Sequence, residues 1–183
     1  PFGLFAGYGI AQWGKATKLQ LDAPEQHKRT TRINMWNLHC LATQLLKDKA
    51  IQSATYYYTN NTISISKNAY RYIEPYLSAG AKAYKLSVVD QNEYISLILQ
   101  RATNGATFLE LRQTLEQKEI PSEVADEFLV DLIDTQLLQH EFEPTLTGKD
   151  YLSFLVDRVL DFQQLSNLQS ATRQLIRDII SMS

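Results

Sequence analysis

The stretch that most constrains the fold is residues 62–90, "TISISKNAYRYIEPYLSAGAKAYKLSVVD". β-branched and aromatic residues dominate it, and Lys67-Asn68 and Ser78-Ala79-Gly80 punctuate it. This pattern predicts three antiparallel strands over residues 62–66, 70–75 and 82–89. Three helix signals follow at once. Asp90 with Glu93 has capping-box spacing, and Tyr94, Ile95, Ile98, Leu99 and Ala102 trace one helical face up to Asn104-Gly105. Thr107 with Glu110 repeats the box ahead of Phe108, Leu111 and Leu115, and Ser122 after Pro121 opens a third helix with Ala125, Leu129, Leu132 and Ile133 as its stripe. "LLQHEFEPTLTG" then runs on as an extended segment. Strands followed by short helices and an extended tail predict an α+β fold: a small antiparallel sheet plus helices, containing a winged helix-turn-helix-like module.

The flanks read differently. Gly3, Gly7 and Gly9 lie among Phe2, Leu4, Phe5 and Tyr8, which predicts a tight packed turn. Residues 8–21 have a strand-like pattern broken at Gly14-Lys15, a hairpin signal, and "TTRI" reads as a further extended piece. Met35, Leu38, Leu41, Ala42, Leu45 and Leu46 recur at helical spacing, predicting a helix over 35–49 capped by Asn34. Two amphipathic helices are expected after Gly148, the last carrying Leu175, Ile176, Ile179 and Ile180. The expected division is residues 1–61, 62–141 and 142–183. Both ends fall inside patterned sequence, which reads as a fragment of a larger protein.

Composition narrows the function classes. With 44% apolar residues the chain can build a core, and a net charge of −2 gives no global case for nucleic acid or anionic membrane. A single cysteine, Cys40, excludes an internal disulfide and agrees with a reducing compartment. No run approaches the ~20 apolar residues of a membrane span. A cytoplasmic location is expected. His27, His39 and His140 are far apart, and no HExxH or CxxC spacing is present, so no metal site is expected. The glycine-rich opening lacks the Lys-Ser/Thr of a phosphate loop, and spacing assembles neither a Ser-His-Asp nor a Cys-His set.

A winged helix has two common uses. A nucleic-acid reader needs Lys and Arg on its third helix, whereas residues 122–143 hold seven acids and no Lys or Arg. DNA binding is disfavoured whether these acids serve a partner or merely solvate a face. The other use is capture of an extended peptide at the sheet edge, with anchors beside the helix. The third strand offers Tyr84, Leu86 and Val88 on one face and Lys85 and Ser87 on the other. On the helix, Val124 and Phe128 widen the apolar stripe, with Glu127 and Asp131 at its margin. Val124 and Phe128 also fit as ordinary core, and both readings stand at this point.

The opening "PFGLFAGYG" resembles the N-terminal block of lantibiotic dehydratases. "TTRINMWNLHCLA" is similar to that family's R-x-D-M-x-x-L-x-x-L block, "NNTISI…AYRYIE" to its N-x-S-L-Y…RYVE strands, and the stretch through "EFEPTLTG" to one ending E-P-x-x-T-G. In this order they cover residues 1–155. The resemblance implies an enzyme that esterifies Ser and Thr of a ribosomal precursor peptide with glutamate from glutamyl-tRNA, a co-substrate, with no other cofactor. A separate domain then eliminates glutamate. It further implies that residues 62–141 bind the precursor's leader peptide, that the fragment alone is inactive, and that the full-length protein can form a homodimer. Arg29 and Arg32 would face tRNA phosphates, a role that a solvated charge cluster also fits. Asn34 stands where the family has Asp; it would serve either as a cap or in the acyl-transfer site. A relative using aminoacyl-tRNA differently, and a winged-helix regulator, are the alternatives.

Overall fold

In the computed structural model the described residues are 10–19, 23–26, 32–78, 81–144 and 147–181. The chain divides into two compact units, Pro1–Arg32 and Ile33–Ser183. In the first, Pro24–Gln26 form a 3-10 turn and residues 10–19 carry no strand. The hairpin expected there is not formed among the described residues. Ile10, Trp13 and Leu19 are almost fully exposed, and two strands without a buried face are at best marginal in water. The glycine-rich opening lies outside the described residues.

The second unit begins with α1 (Met35–Leu45) and α2 (Lys49–Ala54). Asn34 caps α1 as expected, its side chain accepting from the Trp36 N–H at 2.8 Å. The single helix expected over 35–49 is instead two, because Asp48 turns out of the first and caps the second, accepting from the Ala50 N–H at 3.0 Å. Then come β1 (Tyr56–Thr59), β2 (Ser64–Ser66), β3 (Ala69–Ser78) and β4 (Ala81–Asp90). β2, β3 and β4 form the expected antiparallel sheet in that order, with Tyr72 opposite Ser87 and Glu74 opposite Lys85.

The helices of this module are α3 (Glu93–Arg101), α4 (Phe108–Glu116) and α5 (Ser122–Asp134), with the short strands β5 (Ala106–Thr107) and β6 (Leu138–His140) on either side of α4 and α5. Thr107 and Glu110 make the full reciprocal capping box. The Asp90–Glu93 box does not form: Asp90 is the last residue of β4, and Asn92 caps α3 by accepting from the Ile95 N–H at 2.7 Å. Gly105 follows α3 at φ +86°, and a Cβ there would come within 2.7 Å of the Tyr58 ring. A second sheet, β5-β1-β6, was not expected; it pairs Tyr57 with Ala106 and with His140. The unit closes with α6 (Tyr151–Phe162) and α7 (Ser170–Ser181).

Two cores result. One gathers Tyr57, Tyr70 and Tyr72 with Ile98, Leu115 and Leu129, filling the space between the β2-β3-β4 sheet and α3–α5. The other joins Leu45 and Ile51 to Phe142, Leu155, Phe162 and Ile176, sealing α1 and α2 against α6 and α7. The fold is therefore α+β, with two small antiparallel sheets and helices around two clusters.

Candidate functional site

β4 ends its sheet. One edge pairs with β3 along its whole length, and no strand lies on the other among the described residues. An edge strand carries a row of backbone N–H and C=O groups available to an incoming chain. Its side chains alternate as the sequence predicted. Tyr84, Leu86 and Val88 share one face and are 63%, 65% and 56% exposed. They lie opposite Pro75, Ile73 and Arg71 of β3.

The other face faces the core at its Val89 end and is polar beyond it. There Glu74 of β3 holds two β4 residues at once: the Ser87 hydroxyl donates to Oε2 at 2.5 Å, and the Lys85 ammonium lies 2.9 Å from Oε1. Burial pushes the Glu74 carboxyl up, but the bonds from Ser87 and Lys85 outweigh it and hold the group below the usual glutamate range. Lys85 also lies over the Tyr76 ring, 5.9 Å from its centroid. The side chains of Lys85 and Ser87 are thus committed to Glu74, and what they offer a partner is backbone. Sequence reasoning missed Glu74; the signal was an acid in mid-strand within "RYIEPY", where alternation alone assigns no partner.

α5 is tied to the same sheet. The Tyr72 hydroxyl donates to the Thr135 carbonyl at 2.8 Å, just beyond the helix end, and Tyr72 is the cross-strand neighbour of Ser87. Burial, with Glu74 nearby, pushes the Tyr72 phenol up. One turn earlier, the Asp131 carbonyl accepts from the Thr135 hydroxyl at 2.6 Å, while the Asp131 side chain is exposed. Glu127 is exposed as well, and Val124 is half exposed at 53%. Phe128 is half buried and packs on the core that Val89 also borders. Of the two residues that widen the stripe, Val124 is the freer surface and Phe128 is shared with the core.

The predicted transfer-site residues belong to neither β4 nor α5. Asn34 is exposed at the head of α1, where it acts as a cap. Asn and Asp cap nearly equally, so Asn34→Asp should leave stability within a few tenths of a kcal/mol while Asn34→Ala costs ~1 kcal/mol in a urea titration. Arg32 is exposed and belongs to the other unit, and Arg29 lies outside the described residues. Among the described residues no three His, Cys, Asp or Glu side chains converge as a metal site, and no helix is long and apolar enough to cross a membrane.

Comparison with known proteins bears on this architecture. The crystal structure of the tRNA dependent lantibiotic dehydratase MibB from Microbispora sp. 107891 matches with a TM-score of 0.60 at 19% identity. The match covers 80% of this chain and 14% of that one, so the fold is shared with a small part of a much longer protein. A search of curated protein sequences finds no match. The family model "Lantibiotic dehydratase, N terminus" matches residues 1–180. With nearly its whole length covered by that model, the chain belongs to the lantibiotic dehydratase N-terminal family.

Proposed function

We propose that this chain is the part of a tRNA-dependent lantibiotic dehydratase that binds the leader of the precursor peptide, by adding the leader as a strand to the open edge of β4. The observation that carries this reading is the unpaired edge of β4, with Tyr84, Leu86 and Val88 exposed beside it and the acidic margin of α5 tied to the same sheet through Tyr72. Backbone pairing supplies sequence-independent affinity. Val124 and the exposed edge of Phe128 select apolar anchors, and Glu127 and Asp131 favour a basic neighbour.

In the full-length protein the reaction is glutamylation of Ser and Thr. The hydroxyl oxygen of the peptide attacks the ester carbonyl of glutamyl-tRNA, the tRNA ribose oxygen leaves, and the hydroxyl proton passes to it. The new carboxylate ester is a far better leaving group than hydroxide for the elimination that follows. Arg29 and Arg32 would pair with tRNA phosphates, and Asn34 would stand beside the acyl-transfer site. The 183 residues are not expected to glutamylate a peptide alone.

Calorimetric titration with a panel of lantibiotic leader peptides tests the site. Asp131→Lys replaces an exposed acid and should spare the fold while weakening basic leaders about fivefold or more. Adjacent residues of a strand point their N–H groups to opposite edges, so of Leu86→Pro and Ser87→Pro one removes an outward N–H and keeps pairing with β3. That folded variant should lose leader binding. Unchanged binding in both the Asp131→Lys and the folded proline variant would mean that the leader docks elsewhere.

A further inference from the structure

A cleft of about 300 Å³ opens between the two cores of the second unit, and the leader-binding reading does not use it. Trp36 and His39 line it from α1, on the side of that helix away from its buried Leu38–Ala42–Leu45 stripe. Pro75 and Tyr76 of β3 line it from across, and His140 of β6 and Glu143 complete it. Four of its lining residues carry aromatic rings, beside Cys40, Thr43, Gln44 and Gln136. Trp36 and His39 lie 5.8 Å apart between centroids, and His39 and His140 are stacked at 6.3 Å and 25°. Trp36 and Tyr76 are each 43% exposed.

The lining also has a sign. Glu143 is the one Asp, Glu, Lys or Arg among the described residues of the cleft, and one of its oxygens is 3.9 Å from His140 Nε2. His39 Nδ1 is buried and has no hydrogen-bond partner among the described residues. Because His39 Nδ1 is itself buried, what the cleft presents to a ligand is its rings and one carboxylate, which suit a flat group rich in N–H donors. Neither a second carboxylate nor a purely apolar ring would satisfy it. A guanidinium has that form: it is planar, permanently charged, carries five donors and stacks on aromatic faces.

We propose that the Trp36–His39–His140–Tyr76 cleft is a subsite for an arginine side chain of a bound peptide, with the guanidinium stacked among the rings and paired with Glu143. The subsite is independent of strand addition at β4 and would accept arginine in whatever peptide presents it.

The test uses the whole chain and acetyl-Gly-Arg-Gly-amide as probe, with the citrulline and phenylalanine analogues beside it. Citrulline keeps the planar shape and removes the charge. Titrations followed by NMR of the Trp36 indole and the His39 and His140 rings should show saturable shifts with the arginine peptide. The citrulline peptide should bind about fivefold more weakly or worse, as expected for loss of a stacked, charge-paired cation. Glu143→Gln should erase most of that difference, and Trp36→Ala should weaken the arginine peptide about threefold or more. Equal binding of arginine and citrulline, tighter binding of phenylalanine, or the absence of saturable shifts at these rings would overturn the proposal. The comparison of three peptides on the unmodified chain stands even where a variant fails to fold.

Discussion

Arg158→Ala should lower the free energy of unfolding by about 3–5 kcal/mol, the loss expected when one partner of a desolvated ion pair is removed and the other stays buried. The Arg158 side chain from α6 grips Glu141 as a fork, with Nε 2.8 Å from Oε2 and Nη2 2.8 Å from Oε1. Its remaining arm reaches Asp161 at 2.7 Å. The Glu141 side chain is only 9% exposed and also accepts from the Tyr56 N–H at 3.1 Å. Burial alone would pull the guanidinium's pKa down, and the bonds and charges of Glu141 and Asp161 hold it up instead. The aromatic rings of Phe162 and Tyr56 lie 5.0 and 5.7 Å from the guanidinium carbon. This pair fastens α6, in one core, to the end of β6, in the other. Replacing both partners, as in Arg158→Met with Glu141→Leu, should recover much of the loss, because no charge is then left stranded. Guanidinium chloride melts of the single and double variants decide it; a single-variant loss below about 1 kcal/mol would place the pair with ordinary surface bridges.

The second large effect is expected at Asp48. It is 3% exposed and serves two segments far apart in sequence: Oδ1 caps α2 through Ala50, and Oδ2 accepts from the Gln169 N–H at 2.9 Å at the entrance to α7. Asp48→Ala removes a cap and strands a partly buried donor, and should cost about 2–4 kcal/mol. The pH dependence has a definite sign. Burial raises the Asp48 carboxyl, but bonds from Gln169, Thr172, Ala50 and Ile51 outweigh it, so its pKa in the folded chain is held below the ordinary aspartate value. The ionised group therefore contributes its stabilisation above that value, and the contribution is lost as pH falls through the folded pKa. Thermal melts at neutral pH and near pH 3 should show the gap between the parent chain and Asp48→Ala narrowing in acid. A gap that stays constant or widens would contradict this account.

Where neighbouring residues decide the structure, the sequence was readable. Tyr70 and Tyr72 alternate inward, Tyr84, Leu86 and Val88 alternate outward, and Asn34 and Thr107 cap helices with their own side chains. What escaped was decided at a distance. The periodicity of Leu45 and Leu46 runs on past the turn and hides the break between α1 and α2, which Asp48 makes by capping α2 and accepting from Gln169, 121 residues away. β1 is four residues of "YYYT", too short to signal, and its partners Ala106 and Leu138 lie in later segments. At the candidate site the exposed row of β4 was legible, but the Glu74–Lys85–Ser87 cluster depends on strand register, which alternation alone does not supply. The resemblance of "PFGLFAGYG" and the later blocks identified the family that the whole-length match shows.

The most direct test of strand addition is amide hydrogen exchange of the chain with and without a bound lantibiotic leader peptide. Each outward-facing N–H of β4 that donates to an added strand should slow, whereas those paired to β3 should change little. The account predicts protection at alternate residues across 84–88, together with slowed exchange near Val124 and Phe128. Saturating leader binding that leaves every β4 amide exchanging as before would contradict it.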